Sequence, residues 1–347
     1  MSLLTSICAD EIRQRGNIRE ADVTRLRAAC EAADGITAED AEGLFSLHAA
    51  TPIQHPAWGP FLVEAITDYI VHQARPEGYV VAENARWLID RVSTFGRIET
   101  TSELALLVHV LETARWTPPS LAAFGLEQIR HAVESAAGPL RAGRDIGAGC
   151  LTQDDVGLAA RIVAAFGGET SLALTRAEAD VLLSINRAIA PGASSPAWSA
   201  LFITTIGAAV LAAMGHAVAP RRDLAASATS GVDTPELVAM ILGHEHGLAS
   251  HTSGRSGERI HVAPRVWRSA SVLTPEERAL ARLERQRLEI VTNEVIEEAN
   301  DGWLMERLAD GDPADANERG LLAYILREAT RHSPELVRFA ACRAAAA

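Results

Sequence analysis

Apolar residues return at spacings of three and four along most of the chain, the signature of helices that bury one stripe. The clearest stripe is Trp58, Phe61, Leu62 and Ile66, preceded by Pro56-Ala57. The same pattern recurs as Trp198, Leu201, Phe202 and Ile206 after Pro196-Ala197. No segment alternates apolar and polar residues over a useful length, and the Val/Ile clusters sit inside helical patterns. The pattern therefore predicts an all-α protein.

Polar positions mark the helix starts. A Thr followed three residues later by an acidic residue forms a capping box, in which the hydroxyl accepts from a free backbone N–H and the carboxylate reaches back to the cap. Thr37 with Asp40, Thr100 with Glu103, Thr152 with Asp155, Thr175 with Glu178 and Thr274 with Glu277 all fit. Pro275 adds the residue favoured at the first helical position.

These signals occur twice in one order. Gly16-Asn17-Ile18 is echoed by Gly149-Cys150-Leu151, Thr37 by Thr175 and Pro56-Ala57-Trp58 by Pro196-Ala197-Trp198. Trp87, Leu88 and Arg91 then return as Trp303, Leu304 and Arg307, and Glu103, Leu106, Leu107, Pro119 and Leu121 as Glu318, Leu321, Leu322, Pro334 and Leu336. The echo predicts two tandem multi-helix bundles related by internal duplication. The first module spans residues 11–140. The second spans 145–345 and is interrupted at about 215–270 by a polar insertion rich in Gly, Ser, Arg and His. Within that insertion, Asp233-Thr234-Pro235-Glu236 opens a short helix, and beyond it Thr274 to about Ala309 reads as one long helix or two abutting ones.

Residues 199–219 carry no Asp, Glu, Lys or Arg, over roughly the twenty residues a membrane span needs. The matching segment, 59–73, contains Glu64 and Asp68, which identifies both as core helices and predicts no membrane span.

The stretch Pro76-Glu77-Gly78-Tyr79-Val80-Val81-Ala82-Glu83, followed by Trp87-Leu88, Phe95-Gly96-Arg97-Ile98 and Thr100 to Glu103, resembles the tellurite-resistance TerB-like helical domain. The resemblance covers most of residues 15–117, and its echo covers 149–211 and 295–337. It implies paired helices around Asp-Gly turns, acidic residues that bind a divalent metal, and a role in a stress response. The turn Asp is present at Asp34-Gly35, but Glu77 precedes Gly78 and Phe95 precedes Gly96.

Among 347 residues the formal charge is -13, and every basic side chain is Arg. Nonspecific grip on phosphate backbones comes from clustered cations, so nucleic acid is not an expected partner. The start of the chain, Met1 to Cys8, lacks the basic residues and long apolar run of a secretory signal. A cytoplasmic location follows as the expectation. Cys8, Cys30, Cys150 and Cys342 are widely separated and read as buried free thiols.

Two clusters carry the candidate chemistry. Glu64 and Asp68 stand one helical turn apart in an apolar helix, where two carboxylates want a cation, an Arg or a shared proton. The second half has Thr204 and Ala208 there, and Asn186 where the first has His48. Glu64, Asp68 and His48 are thus the expected ligands of a divalent metal ion. The second cluster is His244-Glu245-His246 in the insertion, with His251 and His261 downstream; His244 and His246 on an extended segment suit zinc or nickel.

Known enzyme signatures fail residue by residue. Calcium loops placed on Gly16 or Gly78 put Arg13, Arg15 or Arg75 in ligand positions. The zinc-protease spacing from His244 ends on Leu248, and a nucleophile elbow at Ser256 ends on Glu258. The expected function is a non-enzymatic helical scaffold that binds a divalent cation, a protein partner or both. The alternative is a metal-dependent hydrolase or oxidase using the acidic helix of the first module.

Overall fold

The computed structural model describes residues 9–33, 35–165, 174–214, 216, 223, 234–244, 300–329 and 333–346. Fourteen α-helices lie among them. In chain order the chain forms α1 (Ala9–Arg15), the two-residue strand β1 (Asn17–Ile18), α2 (Glu20–Ala32), α3 (Ala38–Ala50) and a second short strand, β2 (Ile53–Gln54). Next come α4 (Trp58–Thr67), which runs on as a π-helical segment (Asp68–Gln73), then α5 (Ala82–Val92) and α6 (Thr101–Thr113). After α7 (Pro119–Ser135), a 3-10 turn (Pro139–Arg141) leads to α8 (Gln153–Ala165), α9 (Arg176–Ala188) and α10 (Pro196–Ala213). The remaining elements are α11 (Thr234–His244), α12 (Asn300–Ala309), α13 (Ala316–Glu328) and α14 (Pro334–Ala346).

The all-α reading holds with one small correction. β1 and β2 pair in parallel, Asn17 with Ile53 and Ile18 with Gln54. Strands of two residues are too short to show alternation, so the pattern gives no sign of them.

Four of the expected capping boxes form. Thr37 and Asp40, Thr100 and Glu103, and Thr175 and Glu178 exchange both bonds at α3, α6 and α9. At α8 the Thr152 amide donates to Asp155 at 2.8 Å and the Asp155 amide returns to the Thr152 hydroxyl at 3.2 Å. Thr274 with Glu277 lies outside the described residues, as does the expected long helix before Asn300.

The chain divides into two compact units. The first comprises Met1–Arg115, Gly138–Arg144 and Val232–Leu280; the second comprises Trp116–Ala137, Asp145–Gly231 and Ala281–Ala347. In the first unit α4 is central, packing against α6, α2 and α3. Its stripe Trp58, Phe61, Leu62 and Ile66 is fully buried. In the second unit α10 packs against α13 and α8, with Trp198, Leu201, Phe202 and Ile206 fully buried, while α9 lies on α7. Complete burial of these four large side chains in each unit, at ~1.5–3 kcal/mol per side chain, is a main source of its cohesion.

The insertion differs from the polar segment expected. Its helix at Thr234 forms as α11, and this helix packs against α6 and α4 of the first unit with Val238 and Ile241 buried. Among the described residues no helix is long and apolar enough to cross a membrane. The thiols also differ from expectation: Cys30 is buried, but Cys150 and Cys342 are exposed, and none of the three is in a disulfide. Cys8 lies outside the described residues.

Candidate functional site

Each of the three residues expected to bind a metal in the first unit has its own partner. His48 sits in the last turn of α3, 8% exposed. Its Nδ1 accepts from the indole Nε1 of Trp58 at 3.1 Å, with Gln54 Nε2 at 3.2 Å. An indole N–H only donates, so Nδ1 is held as the acceptor and the neutral ring carries its proton on Nε2. That nitrogen lies 3.4 Å from the Thr100 hydroxyl and 3.9 Å from Glu103 Oε1. The imidazole thereby joins the end of α3 to the starts of α4 and α6.

Glu64 and Asp68 do not share a ligand either. Glu64 forms an ion pair with Arg27 of α2, whose guanidinium also lies 5.6 Å from the centre of the Phe61 ring. Asp68 opens the π-helical segment and accepts from Gln73 Nε2, while Gln73 Oε1 accepts the Ile36 amide at 3.2 Å. One carboxylate thus fastens α2 and the other, through Gln73, the turn before α3. Among the described residues no group of three or more His, Cys, Asp or Glu side chains is placed to hold a metal ion. His244 is the last residue of α11, and His246 lies outside the described residues.

The second unit builds a polar junction on the corresponding positions. Asn186, 3% exposed, accepts the Trp198 indole Nε1–H at 3.0 Å, and its own amide donates to Asp315 at 3.1 Å. Asp315 caps α13 by accepting the Glu318 amide at 2.7 Å, as Thr100 caps α6 by accepting that of Glu103 at 3.2 Å. A surface ion pair is matched too. Arg91 meets Glu42 at 2.9 Å in the first unit, and Arg307 meets Asp180 at 2.8 Å in the second.

The junctions differ in charge. Glu318 is fully buried and meets Arg343 Nη2 at 2.6 Å and Arg187 Nε at 3.3 Å. Burial pushes its carboxyl up, and the two guanidiniums oppose that. Burial likewise raises the Glu103 carboxyl against the bonds it accepts at Thr100. The Arg343 contact links residues far apart in sequence and carries no local signature, so sequence reasoning misses it.

In sequence the turn Thr94-Phe95-Gly96-Arg97 shows only Phe in place of Asp before its Gly. Its ends are bonded, Thr94 N to Arg97 O at 2.9 Å and Arg97 N to Thr94 O at 3.1 Å. Both central residues have positive φ, 51° at Phe95 and 77° at Gly96. The Phe95 side chain is fully exposed, and the Arg97 side chain has no hydrogen-bond or ion-pair partner among the described residues. Compared with models of known protein families, with curated proteins and with solved structures, the chain finds no match.

Proposed function

We propose that this chain is a cytoplasmic, non-enzymatic helical scaffold, made of two copies of a TerB-like module, that binds a protein partner. The duplication is supported by the paired junctions, His48 with Trp58 and Asn186 with Trp198, and by the paired bridges Arg91–Glu42 and Arg307–Asp180. Recurrence of the same bond at the same aligned positions is more than a shared composition of helices. The partners that His48, Glu64 and Asp68 already hold favour the protein-binding half of the expectation over the cation-binding half.

The observation that carries the partner reading is Phe95. A tight turn with two positive φ values favours Asn or Asp before Gly, because their short polar side chains tolerate the left-handed region. Phenylalanine there strains the backbone and leaves a whole ring in water. Neither property helps the fold, but both suit an anchor presented to a partner's pocket, and Arg97 beside it adds a cation whose side chain has no hydrogen-bond or ion-pair partner among the described residues. The test compares proteins that co-purify with the native chain and with Phe95→Asn. Loss of a specific co-purifying protein, at unchanged helicity, is the expected result. An identical set from both chains overturns the reading.

A further inference from the structure

Between Ala213 and Asn300 the described residues contain a single helix, α11, and it belongs to the first unit although α10 before it and α12 after it are in the second. It lies across α6 and α4, with Val238 9% and Ile241 4% exposed. Val238, Ile241 and Leu242 are spaced i, i+3, i+4, the spacing by which an amphipathic helix fills a groove.

The groove is shaped for that approach. Gly59 stands in the first turn of α4, and a Cβ there would lie 2.9 Å from Ser102 Oγ of α6 and 3.0 Å from Leu242 Cδ2 of α11. Its φ is not positive, so the glycine is needed for space rather than for conformation. The aligned residue of the second half is Ser199, which follows Trp198 as Gly59 follows Trp58 and is part exposed. The helix that follows each tryptophan can therefore be built with a side chain at that position, and the first unit omits one where α11 crosses.

An isolated helix of eleven residues is marginal in water, so α11 depends on the groove for its helicity. Its occupancy is a balance between burying a few apolar side chains and ordering the segment that carries them. We propose that the α4/α6 groove is a helix-docking site, that Thr234–His244 is its tethered internal ligand, and that an amphipathic helix of a partner protein with the same Val-x-x-Ile-Leu spacing takes its place. The proposal rests on the partner-binding reading only in taking the occupant to be a protein helix. Its test is independent of Phe95.

The probe is a fluorescently labelled synthetic peptide of residues 232–246, titrated by anisotropy against the full native chain and the full chain carrying Val238→Asp and Ile241→Asp. With the internal helix disabled, the peptide binds about tenfold or more tightly than to the native chain, because the native groove is already occupied. Adding Gly59→Val to that variant removes the gain. Equal binding to native and variant chains overturns the proposal. Amide hydrogen exchange on the native chain provides a readout that does not depend on the variants folding. Amides of 234–244 exchange faster than those of α4 and α6 if the helix detaches, and exchange together with them, making α11 a permanent part of the core, overturns it.

Discussion

Trp58 Nε1 donates to His48 Nδ1 at 3.1 Å inside the first unit, and the bond decides what His48 does there. The matching bond in the second unit ends on Asn186 Oδ1, an acceptor of similar reach without a titrating group. His48→Asn therefore keeps an acceptor for the indole and is expected to change stability by less than about 1 kcal/mol. His48→Leu leaves a buried N–H unpaired and costs about 1–3 kcal/mol. Urea unfolding of the two variants checks this, and equal losses would show that the indole bond contributes nothing specific.

The helix caps and the tryptophan stripes are legible in sequence because both are short-range. A cap involves residues three apart, and a stripe residues three or four apart, so Thr37–Asp40 and Trp58–Phe61–Leu62 can be read directly. The partners of Glu64 and Asp68 are not legible in that way. Arg27 is 37 residues from Glu64, and Gln73 is positioned against Asp68 by a π-helical register that the sequence pattern does not reveal. Likewise the polar composition around residue 234 hides that three apolar residues of α11 make a face for the groove between α4 and α6.

Glu318 is the buried charge on which α9, α13 and α14 converge. Arg343→Ala removes its closest counter-charge and also the donor to the backbone oxygens of Leu308 and Asp312. The expected loss is about 3 kcal/mol, since breaking a buried pair leaves a charge without compensation. A double-mutant cycle with Glu318→Gln measures the coupling. Strict additivity of the two substitutions would mean the pair does not stabilise the unit.

His109 on α6 has a buried Nδ1 without a hydrogen-bond partner among the described residues. Burial holds its pKa below the usual histidine value, nearby His72 lowers it further, and Glu112 opposes both. The unfolded chain therefore takes a proton at about pH 6.5 while the folded chain does not. That difference lowers stability as pH falls below about 6.5 and has no effect above it. His109→Gln is expected to flatten the decline between about pH 6.5 and 5.5 in urea unfolding. An unchanged slope would assign it to other groups.

Cys30 is 2% exposed, and burial together with the carboxylates of Asp40 and Asp68 pushes its thiol up to about 12. Reaction with iodoacetamide requires the thiolate, so Cys30 is expected to stay unmodified in the native protein at pH 8 while Cys150 and Cys342 are alkylated. Peptide mass mapping distinguishes the sites. Labelling of Cys30 at the rate of the exposed pair would show that α2 opens readily from the core.

Phe95 is the position where stability and function are expected to diverge. Its φ of 51° lies where a residue with a Cβ is strained, and Asn is among the residues that tolerate it best. Phe95→Asn should therefore raise stability by about 0.5–1 kcal/mol, provided the ring makes no internal contact, and its full exposure says that it makes none. Thermal and urea unfolding measure the gain. The informative result is the conjunction: a variant more stable than the native chain that has lost its co-purifying protein. A stabilised variant with undiminished partner binding would leave the exposed ring without the role proposed for it, whereas a destabilised variant would show that the turn needs the phenylalanine for folding.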